Sequence, residues 1–241
     1  KIMPINLYKG ENFNAEKLIA IDENLFNNPG LWTKSAIFNQ SKDVNNLDLK
    51  YFLSIVQSAE TRDQDFKELL NNINISTWAR FSAYTILTQN YHHDYRHNLR
   101  LAIDPWTGYV YPIIVDPQFR NHFKVKKNSG LIYPLESSNN DLITLLNRSS
   151  IFIDAKYKKL FEYTVKSTVL SEEIDNLKNL YNDLKISVRR DPDINFNKLS
   201  EEIEFYKKDL NEIESLIKQK LYLKPVSTWN KNSENIDIFI E

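Results

Sequence analysis

Two runs of alternating and β-branched residues, LRLAI at 99–103 and YVYPIIV at 109–115, flank the segment DPWTG. Asp-Pro and Gly are turn formers, so the stretch predicts a β-hairpin closing around Trp106, Thr107 and Gly108. A hairpin constrains more than local shape, because its register decides which residues of the two legs face each other. Asn98 stands at the open end of one leg and Asp116 at the open end of the other. Paired strands lie less than about 5 Å apart, which holds those two positions close. An amide oxygen and a carboxylate meeting there are hard ligands of the kind magnesium takes.

The chain around the hairpin reads as mostly helical. Trp78, Ala79, Phe81, Ala83, Tyr84, Ile86 and Leu87 wrap most sides of one helix, with Ser76 or Thr77 placed to cap its start, and a helix so apolar is expected to be central. Upstream, Leu49, Phe52, Ile55 and Val56 fall at helical spacing, and a second amphipathic helix is expected over 66–73. Residues 1–45, rich in Asn and punctuated by NNPG at 27–30, read as irregular or strand-bearing, and 122–150 as a long surface loop with a short apolar patch at 142–146. Ile174, Leu177, Tyr181, Leu184 and Val188 step by three and four, as do Leu199, Ile203, Tyr206, Leu210, Ile213 and Ile217, with RRDPD between the two runs. That pattern predicts an antiparallel helix pair over 171–221 with its Leu and Ile stripes buried. The expected fold is therefore α+β and predominantly helical. Residues 1–150 carry the hairpin, 151–225 form a helical hairpin packed on them, and 226–241 are a polar tail.

Composition narrows the function. A chain of 241 residues buries roughly 70% of its unfolded surface, and 41% hydrophobic with 12% aromatic residues excludes a disordered chain. Lysine and arginine number 31 against 32 acidic residues, a net charge of -1, so no global electrostatic case for nucleic acid exists. No apolar run approaches the ~20 residues of a membrane helix, and KIMPINLYKGENF has no signal-like apolar core, so the chain as given reads as soluble. The absence of cysteine excludes disulfides, thiolate metal sites and a cysteine nucleophile, and fits a reducing cytoplasm and a bacterial surface protein alike.

The segment NYHHDYRHN at 90–98 holds three of the four histidines and ends in Asn98. The order loop Asp, Asn, short hairpin, second Asp is that of kinase active sites, where the first Asp handles the acceptor hydroxyl and the other two hold magnesium. Here Asp94 and Asn98 are separated by three residues rather than the kinase four, and His93 stands at the kinase spacing. Asp94 and His93 are both candidate bases. Asp94 is preferred, because a carboxylate accepts the proton well even at low pKa and its charge biases a neighbouring His93 toward the cation. A zinc site of His92, His93 and His97 has one helical spacing in its favour but neither the HExxH glutamate nor a thiolate. KVKK at 124–127 reads as a solvated loop or as a contact for substrate phosphate or an acidic peptide.

The stretch HNLRLAIDPWTGYVYPIIVD at 97–116 resembles the CotH-type atypical kinases, a family named for a spore coat protein, whose motif is similar to HNLRFYxNPxTGxLxPIxxD. A weaker likeness runs upstream through EKLIAIDENLF and extends the similarity over residues 10–220. The resemblance implies a kinase C-lobe-like fold and phosphoryl transfer from ATP, with magnesium, to Ser or Thr of a protein partner. It also implies catalytic roles for Asp94 or His93, nucleotide and metal binding by Asn98 and Asp116, and a bacterial protein of the spore coat, the cell surface or the secreted fraction. Where the family continues with Trp-Asp-x-Asp, this chain has Val115 before Asp116 and Gln118 in the later acidic place. Four glycines, no glycine-rich phosphate loop and no strand-rich lobe with a nucleotide-binding lysine make it the expected C-terminal part of a longer kinase-like protein, the missing N-terminal lobe being its partner. The alternatives are a catalytically inactive scaffold or binding module of the same family, and a histidine-based metal hydrolase.

Overall fold

The computed structural model describes residues 5–11, 13–14, 19–20, 24–35, 46–90, 93–94, 96, 98–115, 135, 140–166, 169–187 and 196–222. The expectations that fall on His92, His97, Asp116, Gln118, the KVKK run and the tail after Pro225 lie outside them.

The fold is α+β and predominantly helical. Strands β1 (Asn6–Gly10), β2 (Phe13–Asn14), β3 (Ile19–Ala20) and β4 (Trp32–Lys34) precede helices α1 (Leu47–Ala59), α2 (Asp63–Asn71) and α3 (Ile75–Thr88). The predicted hairpin follows as β5 (Leu99–Ile103) and β6 (Val110–Ile113). Helices α4 (Asp141–Leu146) and α5 (Ser150–Phe161), a π-helical turn (Glu162–Lys166), α6 (Val169–Ser187) and α7 (Phe196–Tyr222) complete the described elements. The chain divides into Lys1–Lys159 and Leu160–Glu241, so most of α5 belongs to the first unit.

In the first unit the hairpin is half of an antiparallel sheet of order β4-β1-β5-β6. Tyr8 pairs with Leu101, and Leu101 with Pro112, so β5 has a partner on each side. Tyr8 points inward and is fully buried. Its hydroxyl donates to Asp48 Oδ1 at 2.5 Å, and Asn6 Nδ2 donates to the other oxygen at 2.8 Å, which ties β1 to the first turn of α1. Burial, reinforced by the Asp48 bond, raises the Tyr8 phenol well above its ordinary pKa. Beyond it, Gly10 lies so close to Leu25 and Trp32 that an added Cβ would meet both side chains at 3.0 Å. Leu49, Phe52, Leu53 and Val56 of α1, Trp78 and Phe81 of α3, and Leu99 and Leu101 of β5 join in one core. Helix α3 is central as its composition predicts, with Trp78, Ala79 and Ala83 fully buried.

Three expectations need correction. Neither Ser76 nor Thr77 caps α3: Asn74 does, its side-chain oxygen accepting from the Thr77 backbone N–H at 3.0 Å. Residues 140–150 are not surface loop either. Asn140 caps α4 by accepting from the Ile143 N–H at 3.2 Å, and Leu142, Ile143, Leu145 and Leu146 are all buried. Lastly, the helix pair exists over α6 and α7, but its stripes are unequal. Leu210, Ile213 and Ile217 of α7 are buried, as is Ile174 of α6, whereas Leu184 is 40% exposed.

That inequality is measurable. Leu210→Ala should destabilise the protein by about 2–5 kcal/mol, the usual cost of removing an enclosed leucine. Leu180→Ala, at a position 55% exposed, should stay within about 0.5 kcal/mol of wild type in urea denaturation. Equal effects would show that α6 buries more of its surface than this packing allows.

Candidate functional site

Helix α3 ends where Gln89 adopts a left-handed backbone (φ 49°), with the Gln89 and Asn90 amides returning to the Ile86 and Thr85 carbonyls. Thr88, Gln89 and Asn90 at this helix end are buried, and so is His93 in the segment that follows, whereas Asp94, Arg96 and Asn98 are half-buried.

His93 is the hub of this segment. Its ring stands edge-on to Phe81 (5.4 Å between centroids) and Tyr84 (6.5 Å), both on α3. Its Nε2 lies 2.5 Å from the Val115 carbonyl oxygen and 3.2 Å from the Val115 amide nitrogen. One nitrogen cannot donate to the first and accept from the second at once. In either tautomer Nε2 is bonded to the Val115 main chain, as donor to the carbonyl or as acceptor from the amide. The His93 carbonyl accepts from Asn140 Nδ2 at 3.2 Å, so the residue that caps α4 also holds the loop. Next to it, the half-buried Asp94 accepts the Arg96 backbone N–H at 2.7 Å, a local turn that fixes the carboxylate.

Asn98 enters β5 with φ 58°, a left-handed conformation that asparagine tolerates and β-branched residues do not. From there the ladder is regular: Arg100 pairs with Ile113. Carried two residues toward the open end, that register sets Asn98 level with Val115. At the closed end Asp104 accepts from the Trp106 N–H at 2.9 Å and the Thr107 hydroxyl at 2.8 Å, and these bonds hold its carboxyl below the usual range. Gly108 completes the turn at φ 73°. The start of β6 is anchored separately, with the Trp78 indole donating to the Val110 carbonyl at 2.8 Å and the Val110 amide to the Asn72 carbonyl at 2.9 Å.

Of the predicted site residues, His93, Asp94 and Asn98 therefore occupy one loop and the first leg of the hairpin, and His93 reaches the second leg at Val115, the neighbour of Asp116. Among the described residues no cluster of three His, Asp or Glu side chains is placed to hold a metal ion. Asn140 is a site-supporting residue that sequence reasoning missed. Its signal was legible only as an N-cap ahead of LITLL, which would have revealed α4 but not the bond to His93.

The backbone at Asn98 sets its mutational response. Asn98→Val should cost about 1–2 kcal/mol for the left-handed conformation alone, whereas Asn98→Gly should be close to neutral on that count. Thermal denaturation of the two variants separates them, and equal losses would mean that contacts of the Asn98 side chain dominate.

No protein-family model matches the chain, and no curated protein matches it either.

Proposed function

We propose that the 93–98 loop and the hairpin form the phosphoryl-transfer site of a CotH-like atypical kinase, which moves the γ-phosphoryl group of ATP, with magnesium, to a Ser or Thr hydroxyl of a protein partner. The observation that supports this most is the His93 bond to Val115. It couples the loop bearing Asp94 to the residue next to Asp116, on the leg facing the one that Asn98 opens.

The donor chemistry fits the proposed ion. Asn98 offers an amide oxygen and Asp94 and Asp116 offer carboxylates, the hard oxygen set that magnesium favours. Asn98 and Asp116 would hold the ion, which when bound supplies charge neutralisation on the phosphates. The ring of His93, 3% exposed and bonded to main chain, acts as a strut and not as a ligand or a base, which also argues against the histidine-based hydrolase. Asp94 is the base. It takes the proton of the acceptor hydroxyl as that oxygen bonds to the γ-phosphorus and the bond to the β-phosphate bridge breaks, releasing ADP. His93 positions Asp94 without touching the acceptor.

A second reading, a non-catalytic relative that binds nucleotide or a protein partner as a scaffold, draws on the four glycines and the missing phosphate loop. Two measurements tell the readings apart. Residues 1–241 alone should bind MgATP more weakly than micromolar, because without a second wall around the triphosphate the hairpin ligands are insufficient; micromolar binding by calorimetry would contradict this. In a form carrying an upstream nucleotide-holding lobe, Asp94→Asn should lower turnover roughly 10²–10⁴-fold with ATP affinity nearly intact. Full activity in Asp94→Asn with loss in His93→Ala would hand the role of base to the histidine. Magnesium-dependent ATP binding without transfer would favour a nucleotide-binding scaffold, and no such binding would sink the kinase reading and leave only a scaffold for a protein partner.

A further inference from the structure

Along α5 the fully enclosed positions are Phe152, Lys156 and Leu160, four residues apart. A lysine therefore occupies the middle of a buried row, with 1% of its surface exposed. Its Nζ donates to the Leu135 carbonyl at 3.1 Å and to Asn147 Oδ1 at 2.8 Å, and lies 5.5 Å from the centre of the Tyr157 ring. Both acceptors are neutral, and no carboxylate among the described residues pairs with it. The charges on the neighbouring elements are engaged elsewhere. Asp154 bonds Lys158 on the exposed side of α5. Arg148 reaches the Ala59 and Glu60 carbonyls and Asp63. Asp141 accepts from Asn24, and Lys159 is partly exposed.

A neutral amine has two N–H donors, and this site offers two acceptors. An ammonium adds a third donor and a full charge to an enclosure in which the described residues place no counter-charge, which is costly. We propose that Lys156 is the pin of a proton-controlled joint, holding Leu135 and the C-terminal end of α4 against α5 as a neutral amine and loosening when it takes a proton. Helix α4 ends at Leu146 and Asn147 is its C-cap, so the bond to Asn147 ties the side of α5 to the end of α4, beyond the Ser149 bonds at their junction. This inference does not depend on the phosphoryl-transfer reading.

The direction of the pH response follows from linkage. Burial lowers Lys156 from the ordinary 10.5 to about 8. Between those values the opened joint binds more protons than the closed one, so falling pH favours opening, by about tenfold per pH unit at most, and the effect levels off below about 8. Tyr157 stays neutral across this window because burial pushes its phenol up to about 12.

Hydrogen exchange of the full chain, followed by mass spectrometry on peptides of α4 and α5 and corrected for intrinsic exchange rates, tests the joint between pH 7.5 and 9.5. Wild type should open progressively as pH falls from 9.5 to 8 and then plateau. Lys156→Met should remove the slope. Asn147→Asp, which places a carboxylate where the ammonium needs one, should also flatten it and keep the helices protected at pH 7.5. An unchanged slope in either variant, or a flat wild type, overturns the proposal. If Lys156→Met does not fold, Asn147→Asp decides alone.

Discussion

Strand β5 is hydrogen-bonded to β1 on one side and β6 on the other, and the geometry of the loop before it and the strand after it depends on that double pairing. Because side chains alternate between faces, a slip of one residue would turn Leu99 and Leu101, both fully buried, out of the core and bring Arg100 in. Two ladders would have to slip together. The cost of exposing those leucines, about 1.5–3 kcal/mol each, keeps the register single-valued. Asn98, at the entrance to β5, inherits that certainty, and Val115 inherits it on the facing leg.

The structure uses asparagine as backbone hardware. Asn28, Asn74 and Asn140 each accept a main-chain N–H at the start of a helix or turn, and Asn140 also donates to the His93 carbonyl. A short side chain with one acceptor and two donors can close a helix end and reach a second segment in the same residue. Buried polar groups of this kind are stabilising only when satisfied, so the loop and α4 are coupled: disturbing Asn140 leaves unmet needs on both sides.

What the sequence revealed followed physical range. The hairpin was legible because alternation and a turn signal are local, and α1, α2, α3, α6 and α7 because their apolar spacing is. The pairing of β1 with β5 was not, since nothing in NLYKG points to a partner some ninety residues on. Helix α5 escaped notice for a chemical reason: the residue that completes its buried row is Lys156, which reads as surface in any apolar pattern. At the site, His93 and Asp94 are rival candidate bases in the sequence, and only burial distinguishes a ring enclosed against the hairpin from a half-buried carboxylate beside it.

Strand β6 lies at the edge of its sheet, where exposed amides invite pairing with another chain. The Val110 N–H points away from β5, since it bonds the Asn72 carbonyl. By the two-residue period of a strand, the next outward-facing donor belongs to residue 112, which is proline and has none. Within Val110–Ile113 neither outward donor position is left to template a foreign strand, so the body of this β-rich hairpin, with Trp106 exposed at its tip, is guarded against growing into an aggregate along β6.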